Sequence, residues 1–220
     1  MKMRISSYVK LVIYLSTFCL LYASTNENIS TDAVVTVSET KRVAITFDDG
    51  PHSIYTEMLL DGLKERDVVA TFFVIGVNIE GNENVIKRIS DEGHLIGNHT
   101  YSHENICDCS QNQLDDEIDK TNVLIKNITG KDVKYIRPPF GNCKEKSIKN
   151  MTVVLWNVDP RDWCITDENV VVKNIVDNVS DGDIILLHDI FKSSVNAALK
   201  TIDILKEQGY EFVTIEELFS

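Results

Sequence analysis

The chain has 220 residues, of which 43% are hydrophobic and 25% charged, a composition typical of one folded domain or of two small ones. Its 22 Lys and Arg against 34 Asp and Glu give a net charge of −12, which argues against a nucleic-acid-binding protein because phosphate recognition needs a basic face. With 10 Gly and 4 Pro, the chain is neither collagen-like nor low-complexity.

Residues 1–23 predict a secretory signal peptide. Basic residues flank an uncharged, largely apolar run from Leu11 to Tyr22, and this run is shorter than the roughly 20 residues of a membrane span. Leu21 lies where a small residue is preferred before the cleavage site, so an uncleaved anchor is the alternative. In both cases we expect a secreted or cell-surface protein.

We expect residues 24–40 to be a polar, flexible lead-in and residues 41–220 to form the folded domain. Apolar runs bounded by turn residues predict strands at Val43–Phe47, Val69–Ile75, His94–Gly97, Lys134–Ile136, Val153–Val158, Asp183–Leu187 and Glu211–Ile215. Helical patterns lie between most of them, at Ser53–Arg66, Asn82–Glu92, Gln111–Asn127, Glu168–Asn178 and Ser194–Gln208. This alternation predicts one α/β domain with parallel strands. Because no nucleotide-binding fingerprint follows any strand, we favour a barrel, whose functional residues follow the carboxyl ends of its strands.

The first and third predicted strands end in residues that can bind a metal ion. Asp48 and Asp49 follow the first strand, where two adjacent carboxylates are costly unless they are solvated, paired or bound to a cation; a plain turn is the alternative. His99 and His103 follow the third strand, and their spacing places two imidazoles about 6 Å apart on one face of a helix. With Asp49 they make an open, catalytic type of metal site, although such a histidine pair also occurs by chance.

Three later strands end in further polar residues. Arg137 offers a permanent cation before two prolines, and His188 ends the apolar run of the sixth strand. Asp162 and Trp163 follow the fifth strand, where the indole ring can stack on a sugar or pack in the core. Five polar strand ends on one rim indicate a common site.

The motifs together resemble the polysaccharide deacetylases of carbohydrate esterase family 4, the NodB homology domain. In chain order they are TFDDGP (46–51), HTYSH (99–103), RPPFG (137–141), DPRDW (159–163) and LLHD (186–189). Five motifs in the same order are highly specific, and the resemblance covers Lys41 to Leu218. It implies a distorted, incompletely closed (β/α) barrel in a single domain.

The resemblance also implies the roles of the catalytic residues. A divalent metal, usually zinc, is held by Asp49, His99 and His103. Asp48 is the general base with Arg137 as its charge partner, and His188 is the general acid. Asp162 supports either Arg137 or His188, and both readings stay open.

Other residues implied by the resemblance shape the substrate groove. The backbone N–H of Phe140 stabilises the oxyanion, Leu186 walls the acetyl pocket and Trp163 forms one side of the groove. Phe140 replaces the tyrosine usual in the family, so a groove hydroxyl is lost. Only 11 residues separate Gly141 from Val153, which predicts a truncated helix there.

The cysteines and glycosylation sequons fit a secreted protein. Removal of the signal peptide leaves four cysteines, and an even number favours disulfides. A bridge between Cys143 and Cys164 is one hypothesis, and metal binding by the C-x-C pair Cys107 and Cys109 is an alternative. The sequon at Asn98 lies beside two metal ligands, so we expect it to stay unmodified.

These features predict a secreted, metal-dependent deacetylase that hydrolyses the acetamide of N-acetylglucosamine polymers such as chitin. Its partner is the acetylated polysaccharide, with no nucleic acid and no stable protein partner. Two alternatives remain: the same chemistry on another acetylated glycan, and a non-catalytic protein that binds glycans or the cell surface.

Overall fold

A computed structural model describes residues 40–142 and 147–220, so the predicted signal peptide and all but the last residue of the lead-in lie outside the described residues. The strands are β1 (Lys41–Asp48), β2 (Thr71–Val74), β3 (Leu95–Asn98), β4 (Tyr135–Ile136), β5 (Ser147–Ile148), β6 (Met151–Val153), β7 (Ile184–His188) and β8 (Tyr210–Phe212). The α-helices are α1 (Tyr55–Glu65), α2 (Gly76–Ile79), α3 (Glu83–Asp91), α4 (Gln111–Thr129), α5 (Glu168–Val176), α6 (Lys192–Glu207) and α7 (Ile215–Leu218). Short 3₁₀ turns cover Ile106–Asp108 and Pro139–Gly141.

The strands form one sheet in the order β5-β6-β4-β3-β2-β1-β7, and β8 pairs with the first half of β1. All neighbours are parallel except the β5–β6 hairpin. The central strands read as continuous apolar runs because both of their faces are buried, as Val43 to Asp48 of β1 show. Parallel pairing brings the carboxyl ends of β1, β3 and β7 to the same edge.

The sheet curls into a barrel that an irregular segment closes. The N–H of Val154 donates to the carbonyl oxygen of Ile136 in β4 (2.9 Å), and the N–H of Val158 donates to that of Ile184 in β7 (3.1 Å). The strand predicted over Val153–Val158 is therefore wrong beyond β6, because the backbone there crosses from β4 to β7 instead of following either. The predicted fold class, a single α/β domain with an incompletely closed barrel, is confirmed.

Helices cover the outer face of the sheet. In α6, Val195, Ala198, Ile202 and Leu205 recur at helical spacing and are buried in the main core. The helix expected between Gly141 and Val153 is wrong for the described residues 147–153, which form the β5–β6 hairpin. Across the described ranges, no helix is both long and apolar enough to cross a membrane.

Candidate active site

The carboxyl ends of the parallel strands surround a cavity of about 440 Å³. Its lining combines acidic, imidazole and aromatic side chains: Asp48, Asp49, His99, His103, Phe140, Trp156, Asp159, Trp163, Leu186 and His188. Most of the residues predicted from the sequence therefore meet in one cavity. Arg137 and Asp162 lie behind it and contact two of its members.

Three of these side chains can ligate a metal ion. Asp49 Oδ1 lies 3.4 Å from His99 Nε2 and 3.3 Å from His103 Nε2. The three potential ligand atoms all lie within 4.8 Å of one another. The expected helix is wrong, because His99 directly follows β3 and the chain then turns through left-handed backbone at Thr100 (φ 66°) and His103 (φ 61°). A loop, and not helical periodicity, brings the two imidazoles together.

The state of each ligand atom fits a divalent ion. Asp49 Oδ1 is buried and has no hydrogen-bond partner, a costly arrangement unless a cation sits there. His99 Nδ1 donates to the carbonyl oxygen of Arg137 (2.6 Å), which leaves Nε2 free to ligate. Burial lowers the pKa of His103, against the opposing charges of Asp49 and Asp48, and favours the neutral imidazole that metals bind. One carboxylate and two imidazoles suit zinc and other first-row divalent ions.

Asp48 is held by a buried arginine. Arg137 Nη1 donates to Asp48 Oδ1 (2.7 Å) and to Thr46 Oγ1 (2.7 Å), and Arg137 is fully buried. The other nitrogens of the guanidinium donate to the carbonyl oxygens of Val154 and Leu155, so Arg137 also holds the segment that closes the barrel. Burial lowers the pKa of Arg137, and the charge of Asp48 opposes that shift. The second carboxylate oxygen of Asp48 lies on the side of the metal ligands, 3.8 Å from His99 Nε2.

His188 ends β7, beside Asp48 of β1, and pairs with Asp162. Asp162 Oδ1 lies 2.9 Å from His188 Nδ1, and Oδ2 accepts the backbone N–H of His188 (2.8 Å). Of the two partners left open for Asp162, the contact is therefore with His188. Burial alone lowers the pKa of His188, but the hydrogen bond and charge of Asp162, with the charges of Asp48 and Asp49, raise it to about 9. Asp162 therefore favours the protonated form of the ring.

The groove residues differ in their exposure. Leu186 is buried in the floor of the cavity, whereas Phe140 and Trp163 are 69% and 56% exposed at its mouth. Exposed aromatic rings are costly in water and typical of surfaces that stack on sugars, so the alternative of core packing for Trp163 is wrong. The ring of Phe140 also packs edge-on against His103, with 4.8 Å between ring centroids.

Sequence reasoning missed several residues of the site. Thr46 faces Arg137 from within β1, but its position in an apolar strand carries no sign of that role. Trp156 and Asp159 line the cavity, and the acidic residue of a strand-end motif was a usable signal for Asp159. Asp189 is fully buried, accepts a hydrogen bond from Thr56, and burial raises its pKa to about 7.

The cysteine hypotheses have different outcomes. Cys143 lies outside the described residues, so its pairing with Cys164 stays a prediction. Among the described cysteines, Cys107, Cys109 and Cys164 form no disulfide with one another.

Asn98 is fully buried, and its side-chain nitrogen donates to the carbonyl oxygen of Ile118 (3.0 Å), which leaves no room for a glycan.

Comparisons with known proteins agree with this geometry. The family model for polysaccharide deacetylase matches residues 36–153. A peptidoglycan-N-acetylglucosamine deacetylase of Bacillus cereus is 40% identical over 186 residues, which cover 80% of this chain and 68% of that protein. The chain spans only 39% of the length of another curated relative, a peptidoglycan-N-acetylglucosamine deacetylase of Listeria monocytogenes, to which it is 38% identical over 81% of its own length.

Solved structures match over a similar range. The peptidoglycan deacetylase PdaC of Bacillus subtilis superposes with a TM-score of 0.79 at 36% identity, over 82% of this chain and 90% of that one. The likeness lies in the same barrel and extends over most of the described residues.

Proposed function

Because the chain belongs to the polysaccharide deacetylase family, we propose that it is a metal-dependent hydrolase that removes acetyl groups from N-acetylglucosamine residues of a glycan. The observation that carries this proposal is the convergence of the Asp49–His99–His103 cluster, the Asp48–Arg137 pair and the Asp162–His188 pair on one cavity. An acetamide is a poor electrophile, so its hydrolysis needs an electrophilic centre, a base and an acid.

Zinc is the metal we propose for the cluster. A divalent ion held by Asp49, His99 and His103 supplies Lewis-acid polarisation of the acetyl carbonyl and acidifies water. The orphaned Asp49 Oδ1 and the free Nε2 of His99 support this assignment.

Asp48 is the proposed general base. Its Oδ1 is held by Arg137, and Oδ2 lies on the side of the metal ligands, where it borders the cavity. From that position Asp48 accepts a proton from the attacking water. The backbone N–H of Phe140 is the proposed donor to the oxyanion of the tetrahedral intermediate.

His188 is the proposed general acid. Asp162 orients the ring through Nδ1 and favours its protonated form, so Nε2 can give its proton to the departing amine nitrogen. Base and acid then flank one carbonyl, as hydrolysis of an amide requires.

The distribution of charge in the cavity favours a neutral sugar as substrate. Among the described residues that line it, Asp48 is paired with Arg137 and Asp49 belongs to the proposed zinc site, which leaves Asp159 as the acidic residue in neither group. N-acetylmuramic acid carries a lactyl carboxylate beside its acetamide, and like charges brought together cost binding energy. We therefore assign N-acetylglucosamine as the deacetylated sugar. Peptidoglycan, named for the relatives, is the first polymer to test, and chitin is the second.

We also propose that the chain acts at the cell surface or outside the cell. The basic start and apolar run of residues 1–23 support this location. Cell fractionation with N-terminal sequencing tests it, and a cytoplasmic chain that retains Met1 contradicts it.

Acetate release by the zinc-loaded protein tests the activity. We expect release from peptidoglycan and from N-acetylglucosamine oligomers, and at least about tenfold slower release from N-acetylmuramic acid residues. Equal rates on both sugars contradict the assignment of the sugar. Zinc binding without acetate release from any of these glycans contradicts catalysis and favours a non-catalytic glycan-binding protein.

A further inference from the structure

The segment between the two histidine ligands, Thr100 to Ser102, is neither helix nor strand. Left-handed backbone at Thr100 and His103 is sterically unfavourable for residues that carry a side chain. Such backbone persists only where its surroundings fix it. The contacts of this segment therefore decide where the His103 ring lies relative to His99.

Glu117 in α4 binds this segment with both oxygens of its carboxylate. Oε2 accepts the backbone N–H groups of Tyr101 (2.9 Å) and Ser102 (2.7 Å), and Oε1 accepts the Ser102 hydroxyl (2.9 Å). Hydrogen bonds to an ionised carboxylate are about twice as strong as neutral ones. Glu117 thus accepts both backbone N–H groups and the serine hydroxyl of the two residues that precede His103.

The opposite side of the segment is held by the turn after β2. The N–H of Gly76 donates to the carbonyl oxygen of Thr100 (3.0 Å), and that of Val77 to the carbonyl oxygen of Tyr101 (2.9 Å). The approach is close, since a Cβ at Gly76 would lie 2.4 Å from the Tyr101 side chain. The segment is therefore clamped between α2 and Glu117.

The helix that carries Glu117 is itself fixed to the strand that carries the first ligand. Asn98, the last residue of β3, donates to the carbonyl oxygen of Ile118 (3.0 Å) and to Asn122 Oδ1 (2.8 Å). Ile118 is fully buried. Hydrogen bonds to α4 therefore hold the backbone on both sides of the histidine pair. Asn98, which precedes His99, binds α4 directly, and Glu117 of α4 binds the residues that precede His103.

We propose that Glu117 is a positioning residue that sets the metal affinity of the site by holding His103 in its ligating orientation. The proposal rests on the metal site of the proposed function and assigns it a residue outside the cavity. Residues that orient metal ligands typically change metal affinity by about 10- to 100-fold when they are removed. Glu117 acts through the backbone of the neighbouring residues and does not touch the ion or the substrate.

The test is the zinc dissociation constant, measured by competition with a chromophoric chelator, for the wild type and three variants. We expect Glu117→Ala to weaken zinc binding about 10- to 100-fold. Glu117→Gln should lose less, about 3- to 10-fold, because an amide oxygen still accepts the two N–H groups and its nitrogen can donate to Ser102 Oγ. Asp116→Asn is the matched control, since this neighbouring carboxylate is exposed and pairs with Lys120.

A second readout is the visible absorption of the cobalt-substituted protein, which reports ligand geometry independently of activity. Its intensity should change in Glu117→Ala and stay unchanged in Asp116→Asn. Wild-type affinity in both Glu117 variants contradicts the proposal, as does an equal loss in Asp116→Asn, which would indicate a general effect of charge. If Glu117→Ala does not fold, the comparison of Glu117→Gln with Asp116→Asn decides.

These outcomes are separate from those of the proposed function. A wild type that binds zinc but releases no acetate contradicts the activity and leaves the role of Glu117 intact. A wild type that binds no zinc contradicts both.

Discussion

The two ends of the sheet use left-handed backbone in different ways. Where strands begin, the chain turns at Gly93, Gly182 and Gly209, with φ of 88°, 84° and 83°. Where strands end, the same backbone occurs at residues with side chains: Asp49, Thr100, His103, Phe140 and Arg161. Asp67, between α1 and β2, is an exception at the first end, and Gly141 (φ 65°), beside Phe140, is an exception at the second. Lys149 and Asn150 also have left-handed backbone, in the turn of the β5–β6 hairpin.

The difference follows from the role of each end of the sheet: one end only reverses the chain, and the other carries the side chains of the proposed active site. Glycine adopts left-handed backbone at no steric cost, and a turn that only reverses the chain needs nothing more. At the other end, two of the five residues are proposed metal ligands and a third supplies the proposed oxyanion donor. Each costs roughly 1–2 kcal/mol of backbone strain. Hydrogen bonds such as those of Glu117 offset this strain, so the active-site end is held by polar contacts.

The largest expected effect comes from Asp48→Asn. We expect acetate release to fall about 10²- to 10⁴-fold, because the amide cannot accept the proton of water. Zinc binding should persist, since Asp48 is not a ligand in our assignment. Thr46→Val is the control, because it removes the other partner of Arg137 Nη1 but keeps the base. Activity of Asp48→Asn within tenfold of the wild type contradicts the assignment of the base.

The next largest effect is expected for Asp162→Asn, which should lower the pKa of His188. In the metal-free protein we expect His188 to titrate at about 9, and the variant to titrate well below that value because the charge of Asp162 is lost and an amide oxygen is a weaker acceptor for Nδ1. NMR titration of the imidazole measures both. A variant whose His188 still titrates near 9 contradicts the cause we assign.

The pair of His188 and Asp162 also makes the stability of the fold depend on pH. Because the pKa of His188 is raised from 6.5 to about 9 on folding, its protonation stabilises the fold fully below pH 6.5, and this contribution is lost as the pH rises through about 9. The difference in unfolding free energy between wild type and Asp162→Asn should therefore shrink across that window. A constant difference contradicts the linkage.

Two variants, one at each end of the sheet, test the comparison between left-handed glycines and left-handed residues with side chains. Gly209→Ala should lower the free energy of unfolding by roughly 1–2 kcal/mol, because alanine is strained at φ 83°, and should leave kcat unchanged. Phe140→Gly should leave stability unchanged or higher, since it relieves the same strain at an exposed residue, but should raise KM about tenfold by removing a groove ring. Chemical denaturation and steady-state kinetics measure the two effects. A change in steady-state kinetics for Gly209→Ala with unchanged stability, or a loss of stability for Phe140→Gly with unchanged KM, contradicts the comparison.

The smallest effect is expected at Trp163. Trp163→Ala should raise KM for glycan oligomers roughly fivefold without changing kcat, because the exposed indole is lost from the groove. Phe219→Ala is the control, an exposed aromatic residue that does not line the cavity. An equal change in both variants indicates a general surface effect.

The sequence predicted the parts of the molecule that short patterns encode. Buried segments such as Val43–Phe47 of β1 and Ile184–Leu187 of β7 are largely apolar, and the polar residues directly after them stand out against that background. The motifs therefore identified Asp49, His99 and His103 together, although Asp49 lies 50 residues before His99 in the chain. Because both faces of a parallel sheet are buried, its strands are largely apolar, and both the strands and the polar residues after them can be recognised in the sequence.

Features that depend on distant contacts could not be predicted in the same way. The apolar run Val153–Val158 resembles a strand, but its backbone is shared between β4 and β7. His99 and His103 have helical spacing, but Glu117 and Gly76 hold them in a loop. The partner of Asp162 was ambiguous because either Arg137 or His188 satisfies its charge, and only the barrel geometry distinguishes them.

The most direct test of the account is the metal dependence of acetate release from N-acetylglucosamine oligomers. We predict that the purified protein binds one divalent ion per chain, that a chelator abolishes acetate release, and that one equivalent of zinc restores it in the wild type but not in His103→Ala. Acetate release that continues after complete removal of metal, or that survives in His103→Ala, contradicts the account.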